Sequence, residues 1–170
     1  MKKFLFLTSL ICSVMLFSPS QIEAQRSRTS SVAVSNFEGP RNTFFVELLG
    51  NGLIFSANYD IRLVNKFGAR FGLGYIGADG SGILTIPVMG NFLLGNNGKY
   101  FEVGGGICYL SGTGEVFDFD DNSAVLGTLS FMYRSQPING GFMWKIGLTP
   151  LFNSTGFVPY WGGLGIGYCW

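Results

Sequence analysis

The chain has 170 residues, which fits one domain rather than two. Charged residues make up only 12%, about half the share usual in soluble domains, and a net charge of +1 offers no basic excess for nucleic acid. Histidine is absent, which removes the commonest general acid–base group and metal ligand near neutral pH. No histidine-based hydrolytic triad can be built, so neither an enzyme nor a cofactor is expected.

The first residues have the order of an export signal. Lys2 and Lys3 give a positive start, and Phe4 to Phe17 is apolar except for Thr8, Ser9, Cys12 and Ser13. Ser18, Pro19, Ser20 and Ala24 follow. This pattern predicts a signal peptide over 1–24, cleaved between Ala24 and Gln25. Its apolar core is shorter than the roughly 20 residues a spanning helix needs. Lipidation at Cys12 is disfavoured because Ile11, not a small residue, precedes it. Residues 25–40 contain Ser and Arg and are expected to be a flexible periplasmic lead-in, with a short plug as the alternative.

From Arg41 onward, apolar residues recur at every second position, the period of a β-strand. The first strand, Thr43 to Leu49, sets Phe44, Val46 and Leu48 against Thr43, Phe45 and Glu47. The next sets Leu53, Phe55, Ala57, Tyr59, Ile61 and Leu63 against Ser56, Asn58, Asp60 and Arg62. Between them, Gly50-Asn51-Gly52 reads as a turn. Ala69, Phe71, Leu73 and Tyr75 oppose Arg70, Gly72 and Gly74. Leu84, Ile86, Val88, Phe92 and Leu94 oppose Thr85, Pro87, Met89 and Asn91, with a bulge expected at Pro87 because it cannot donate to a ladder. Phe101, Val103, Ile107 and Tyr109 oppose Glu102, Gly104, Gly106 and Cys108. Val125, Leu129, Phe131 and Tyr133 oppose Thr128, Ser130, Met132 and Arg134. Phe142, Trp144, Ile146 and Leu148 oppose Met143, Lys145, Gly147 and Thr149. Last, Leu164, Ile166, Tyr168 and Trp170 oppose Gly163, Gly165, Gly167 and Cys169.

These segments predict an all-β fold: an up-and-down antiparallel transmembrane β-barrel of about eight strands over 41–170. The apolar faces are read as lipid-facing. A water-facing shell needs roughly 25–35% charged residues, and the polar faces are mostly Gly, Ser, Thr and Asn. Tyr59, Tyr75, Tyr133 and Trp170 near strand ends suit the two bilayer interfaces. Short connections at 64–68, 95–98 and 136–141 are expected on one side, longer ones at 77–82, 111–123 and 153–159 on the other. The longer side carries Asp79, Glu115, Asp118, Asp120 and Asp121; the other carries Arg41, Lys66 and Lys99.

Seven charges have the inward phase: Glu47, Asp60, Arg62, Arg70, Glu102, Arg134 and Lys145. An eight-stranded interior is just filled by side chains, and buried charges must be paired. A salt-bridge plug is therefore expected, with Gly72, Gly104 and Gly165 leaving room for the Arg and Lys stems. Asp118, Asp120 and Asp121 are hard oxygen ligands that offer a weak metal site, but the spacing lacks the glycine and distal Glu of a calcium loop. Cys108 and Cys169 could pair in an oxidising compartment.

This pattern from Arg41 to Trp170 resembles the small eight-stranded outer-membrane barrels of the OmpA/OmpX type. Its most specific part is Leu164-Gly165-Ile166-Gly167-Tyr168-Cys169-Trp170, with Trp170 where the family more often ends in Phe. The resemblance implies that Leu164, Ile166, Tyr168 and Trp170 form the signal read by the barrel-assembly machinery. It also implies contact with outer-membrane lipid and lipopolysaccharide, a monomeric state and a location in the cell outer membrane. The expected role is structural, or interaction through the longer loops. The alternatives are transport of a small apolar molecule through a lateral opening beside Pro87 or Pro150, and a soluble lipocalin-like carrier.

Overall fold

The computed structural model describes residues 39–78, 81–113, 123–154 and 156–170. The expected signal peptide and most of the lead-in lie outside them.

Alternating sequence makes strands, and consecutive strands pair antiparallel. In chain order they are β1 (Asn42–Leu49), β2 (Phe55–Val64), β3 (Phe67–Ala78), β4 (Ser81–Asn96) and β5 (Lys99–Thr113). Then come β6 (Ser123–Ser135), β7 (Gly141–Leu148), β8 (Leu151–Phe152), β9 (Phe157–Val158) and β10 (Gly162–Cys169). Each of β1 to β6 pairs with the next, β10 pairs with β7 and β1 closes on β10. β8 pairs with β6 in the register of β7, so β7 and β8 are one stave interrupted at Thr149–Pro150. β9 and β10 also follow one another alongside that stave, with a one-residue shift of register around Pro159. The result is a closed, eight-stave, up-and-down barrel.

The seam is well tied. Thr43 to Leu49 pair with Cys169 to Gly163. Asn42 N donates to Trp170 O (3.0 Å), and Trp170 N donates back to Asn42 O (2.9 Å). Following the partners round from Asn42 through Ile61, Ala69, Gly90, Gly105 and Leu129 climbs about ten residues per circuit, a stagger that tilts the strands by roughly 40°.

Turn chemistry sets the rim that holds Asn42 and Trp170, here the terminal rim. Asn97 (φ 53°) and Gly98 (φ 77°) form the two-residue link between β4 and β5, a turn whose twist matches its strands. Asn65 (φ 49°) turns β2 into β3, beside a register shift between Arg62 and Val64.

Four expectations are corrected. Leu53 does not begin a strand: it sits at φ 71°, and β2 starts at Phe55. Pro87 makes no bulge. It stays in register with Cys108, while the β3–β4 ladder lapses at Gly72–Leu73 and Ile86–Pro87 and resumes in the same register. A missing N–H removed bonds without adding a residue. The link expected over 77–82 is mostly ladder, because Ala78 pairs with Ser81. Finally, of the glycines expected to clear the cationic stems, only Gly165 does so: a Cβ there would stand 2.9 Å from Lys145 Cε. One on Gly104 would meet Gly90 O at 2.9 Å, and one on Gly72 would press on Pro87 and Asn58. Gly68, not anticipated, makes space for the Arg62 guanidinium.

The two phases of the strands separate fully. Phe44, Leu48, Tyr59, Phe71, Leu73, Phe101, Ile107, Phe131, Ile146, Leu164 and Ile166 face outward and are exposed. Thr43, Phe45, Glu47, Asn58, Asp60, Arg70, Glu102, Ser130, Arg134 and Lys145 face inward and are buried. On the outward positions of the described strands the only charged residue is Lys99, the first residue of β5.

Candidate functional site

The charged interior is built by six staves, in two runs of three neighbours. β1 supplies Glu47, β2 Asp60 and Arg62, β3 Arg70, β5 Glu102, β6 Arg134 and β7 Lys145. The structure brings all seven together, and the most accessible of them, Arg62, is only 4% exposed.

Two carboxylates organise the cluster. Asp60 takes Arg62, Arg134 Nη1 at 2.9 Å and Arg70 Nη2 at 3.4 Å. Glu102 takes Arg70, Arg134 Nη1 at 2.9 Å and Lys145 Nζ at 3.7 Å. Arg70 and Arg134 thus each bridge both carboxylates. Arg134 and Lys145 are direct cross-strand partners, a like-charge pairing that is unfavourable by itself. Lys145 relieves it by turning to Glu47 Oε1, 2.8 Å away.

Neutral groups complete the shell. Asn91 donates to Asp60 Oδ2 (2.9 Å) and accepts from Arg62; Ser130 donates to Glu102 Oε1 (3.3 Å); Arg134 Nη2 donates to Thr43 Oγ1 (2.9 Å). Four cations face three carboxylates, leaving one positive charge in excess. The Phe45 ring answers part of it: Lys145 Nζ lies 4.2 Å and Arg70 Cζ 5.0 Å from its centroid, within reach of its negative face. Removing one partner of such a buried pair costs about 3–5 kcal/mol, because the other charge stays behind.

Toward the terminal rim, Phe45, Met143 and Cys169 form a buried apolar cluster. Gln136 Nε2 donates to Pro40 O (3.1 Å) and ties the entering chain to the wall. Cys169 lies beside Thr43 and Gly141, whereas Cys108 lies beside Pro87 and Leu126. Both thiols are buried and free, so the pairing left open by the sequence does not form.

The other end is filled differently. Gly50–Gly52 is one 3-10 turn, and all three residues are buried. Thr85 Oγ1 donates to Gly52 O (3.0 Å), Trp161 Nε1 to Gly50 O (3.0 Å) and Asn51 N to Glu47 Oε2 (3.2 Å). The Asn51 amide, oriented by its partners, donates to Thr128 Oγ1 (2.7 Å) and Leu129 O (3.0 Å) and accepts from Arg70 Nη1 (3.3 Å). The turn therefore reaches across the interior and touches the ion cluster at Glu47 and Arg70. Gly163 is required opposite it, since a Cβ there would stand 2.9 Å from Gly50 Cα. Leu49 (φ 56°, ψ −149°) and Leu53 (φ 71°, ψ −106°) flank it in a region normally left to glycine. Such residues cost about 1–3 kcal/mol each, comparable in sum to hydrogen bonds worth about 0.5–1.5 kcal/mol each.

Leu164, Ile166, Tyr168 and Trp170 all point outward on or just after β10 and are exposed. Asp118, Asp120 and Asp121 lie outside the described residues, as do Asp79 and Glu115. Sequence reasoning about the site missed Thr43, Phe45, Asn51, Asn91, Ser130 and Gln136. Thr43, Phe45, Asn91 and Ser130 carry a usable signal, the inward phase of their strands. Asn51 and Gln136 lie in connections, where phase says nothing.

No family model, no curated protein and no solved structure matches the chain.

Proposed function

We propose that this chain is an integral barrel of the outer membrane of a Gram-negative-type cell, exported by residues 1–24 and closed to solutes. One observation carries the reading: the outward face of the described strands is apolar and, apart from Lys99 at a strand end, carries no charge. Water would leave that surface as one exposed apolar patch far beyond the few hundred Å² a soluble monomer tolerates. Acyl chains would cover it. Aromatics cluster at strand ends, with Phe67, Phe101, Tyr133, Phe142 and Trp170 toward the terminal rim and Phe55, Tyr75 and Tyr109 toward the other, as an interfacial girdle requires. A closed ring of strands also leaves no unpaired edge in lipid.

The charge cluster supports a plugged interior and a structural or interaction role rather than catalysis. The resemblance to OmpA/OmpX-type barrels extends this reading to a monomer in contact with lipopolysaccharide, assembled through its C-terminal strand. The lipocalin-like alternative loses ground, because the inward face is charged where an apolar ligand would sit. The lapse of the β3–β4 ladder beside Pro87 favours a second reading, lateral passage of a small apolar molecule at that seam.

Fractionation tests the first reading. The chain should sediment with outer membranes, resist extraction at high pH, and give no stable channel in planar bilayers. A product that stays soluble without detergent would end the membrane assignment, and stable open channels would end the plug.

A further inference from the structure

The Gly50–Gly52 turn closes the interior without any apolar anchor. Its only side chain is the Asn51 amide, and what holds it is hydrogen bonding to Thr85, Thr128, Leu129, Trp161, Glu47 and Arg70. Both residues at which it would hinge, Leu49 and Leu53, carry positive φ, and the Leu49 side chain points out and is exposed. Holding bonds and hinge strain oppose each other and are of similar size. A segment so balanced meets the condition for a second position, with its partners choosing between the two.

Behind the turn, the wall is not packed by it alone. A Cβ on Gly52 would lie 3.6 Å from Pro87 Cγ. Pro87 pairs with Cys108 and Thr85 with Leu110, and Cys108, Leu110 and Met89 are buried inward residues of that wall. Removing the turn would take away the inward partner of Thr85, cross-strand neighbour of Leu110, and the close neighbour of Pro87, which pairs with Cys108. It would leave the Phe45–Met143–Cys169 cluster at the other end in place.

We propose that the Gly50–Gly52 turn is a displaceable latch over an inner chamber lined by Thr85, Cys108, Leu110 and Thr128, swinging on Leu49 and Leu53. Its bonds to Glu47 and Arg70 make the state of the ion cluster one of the inputs that set it. The inference rests on the barrel's geometry and not on its location, so it can be tested on the full chain in detergent whether or not the membrane reading holds.

Cys108 is the native reporter and Cys169 the internal control. The rate of modification of each by a small, charged methanethiosulfonate is read by mass spectrometry of its peptide. In the unaltered chain Cys108 should react slowly. Asn51→Gly with Trp161→Phe should raise its rate at least ten-fold and leave Cys169 unchanged, with the barrel still folded by heat-modifiable gel mobility. Leu49→Gly with Leu53→Gly removes hinge strain from the closed position and should slow Cys108 several-fold. Equal Cys108 rates in the folded double variant and the unaltered chain overturn the latch. Should the first pair of substitutions unfold the barrel, the glycine pair decides: an unchanged or faster Cys108 rate overturns it.

Discussion

The two ends of the interior are filled by opposite kinds of contact. Toward the terminal rim, charged side chains from β1, β2, β3, β5, β6 and β7 meet as ion pairs over an apolar cluster of Phe45, Met143 and Cys169. At the other end a single turn of backbone, Gly50–Gly52, folds in and is held by hydrogen bonds between mostly neutral groups. The first arrangement is distributed over strands whose register fixes it. The second depends on one connection and two leucines in unfavourable backbone conformations. A buried charge cannot leave its partners without a large cost; a hydrogen-bonded turn can exchange its partners for water at little cost. The contrast predicts a rigid end and a yielding end.

The largest effect should follow from breaking the rigid end. Glu102→Gln removes the negative charge that Arg70, Arg134 and Lys145 share, and should destabilise the barrel by about 3–5 kcal/mol in reversible urea unfolding from vesicles. A loss below about 1 kcal/mol would mean that the cluster is hydrated rather than closed. Next, Leu129→Arg places a charge on the outward face of β6 and should cost about 2–4 kcal/mol if that position lies near the bilayer midplane. The cost should shrink in thin bilayers and in detergent, and equal values in all three would contradict the lipid-facing assignment. Thr128→Arg, one residue away but inward, should instead damage the Asn51 contact with little dependence on lipid thickness.

Phe45→Leu sharpens the comparison from within the rigid end. Loss of the ring under Lys145 and Arg70 should cost about 0.5–2 kcal/mol beyond the change in packing, measurable in a double-mutant cycle with Lys145→Met. A coupling energy of zero would remove the ring from the charge balance. The smallest effect belongs to the yielding end. Trp161→Phe deletes one hydrogen bond to Gly50 O and should cost about 0.5–1.5 kcal/mol. Hydrogen exchange should rise at Asn51 and Leu53 and not at Phe45. Uniform exchange across both ends would mean that they open as one unit.

Sequence reading did well where a residue's role follows from strand phase. Glu47, Asp60, Arg62, Arg70, Glu102, Arg134 and Lys145 are identifiable because a side chain one position along a strand must face the other way. It did poorly where the chain leaves that period. Leu53 looked like one more outward apolar residue, yet it follows a turn that folds inward. Pro87 looked like a bulge, yet the ladder lapsed without an inserted residue.

Alternation alone determined the staves, their two faces and which charges share the interior, because a period of two leaves each side chain only one alternative. The partners inside that interior were decided by the tertiary structure. The stagger of the closed sheet brings residues far apart in the chain, such as Thr43 and Arg134 or Asn51 and Thr128, to the same height. The inward fold of Gly50–Gly52 was decided there too, since nothing in three small residues specifies a direction until Thr85, Thr128 and Trp161 are in place to receive them.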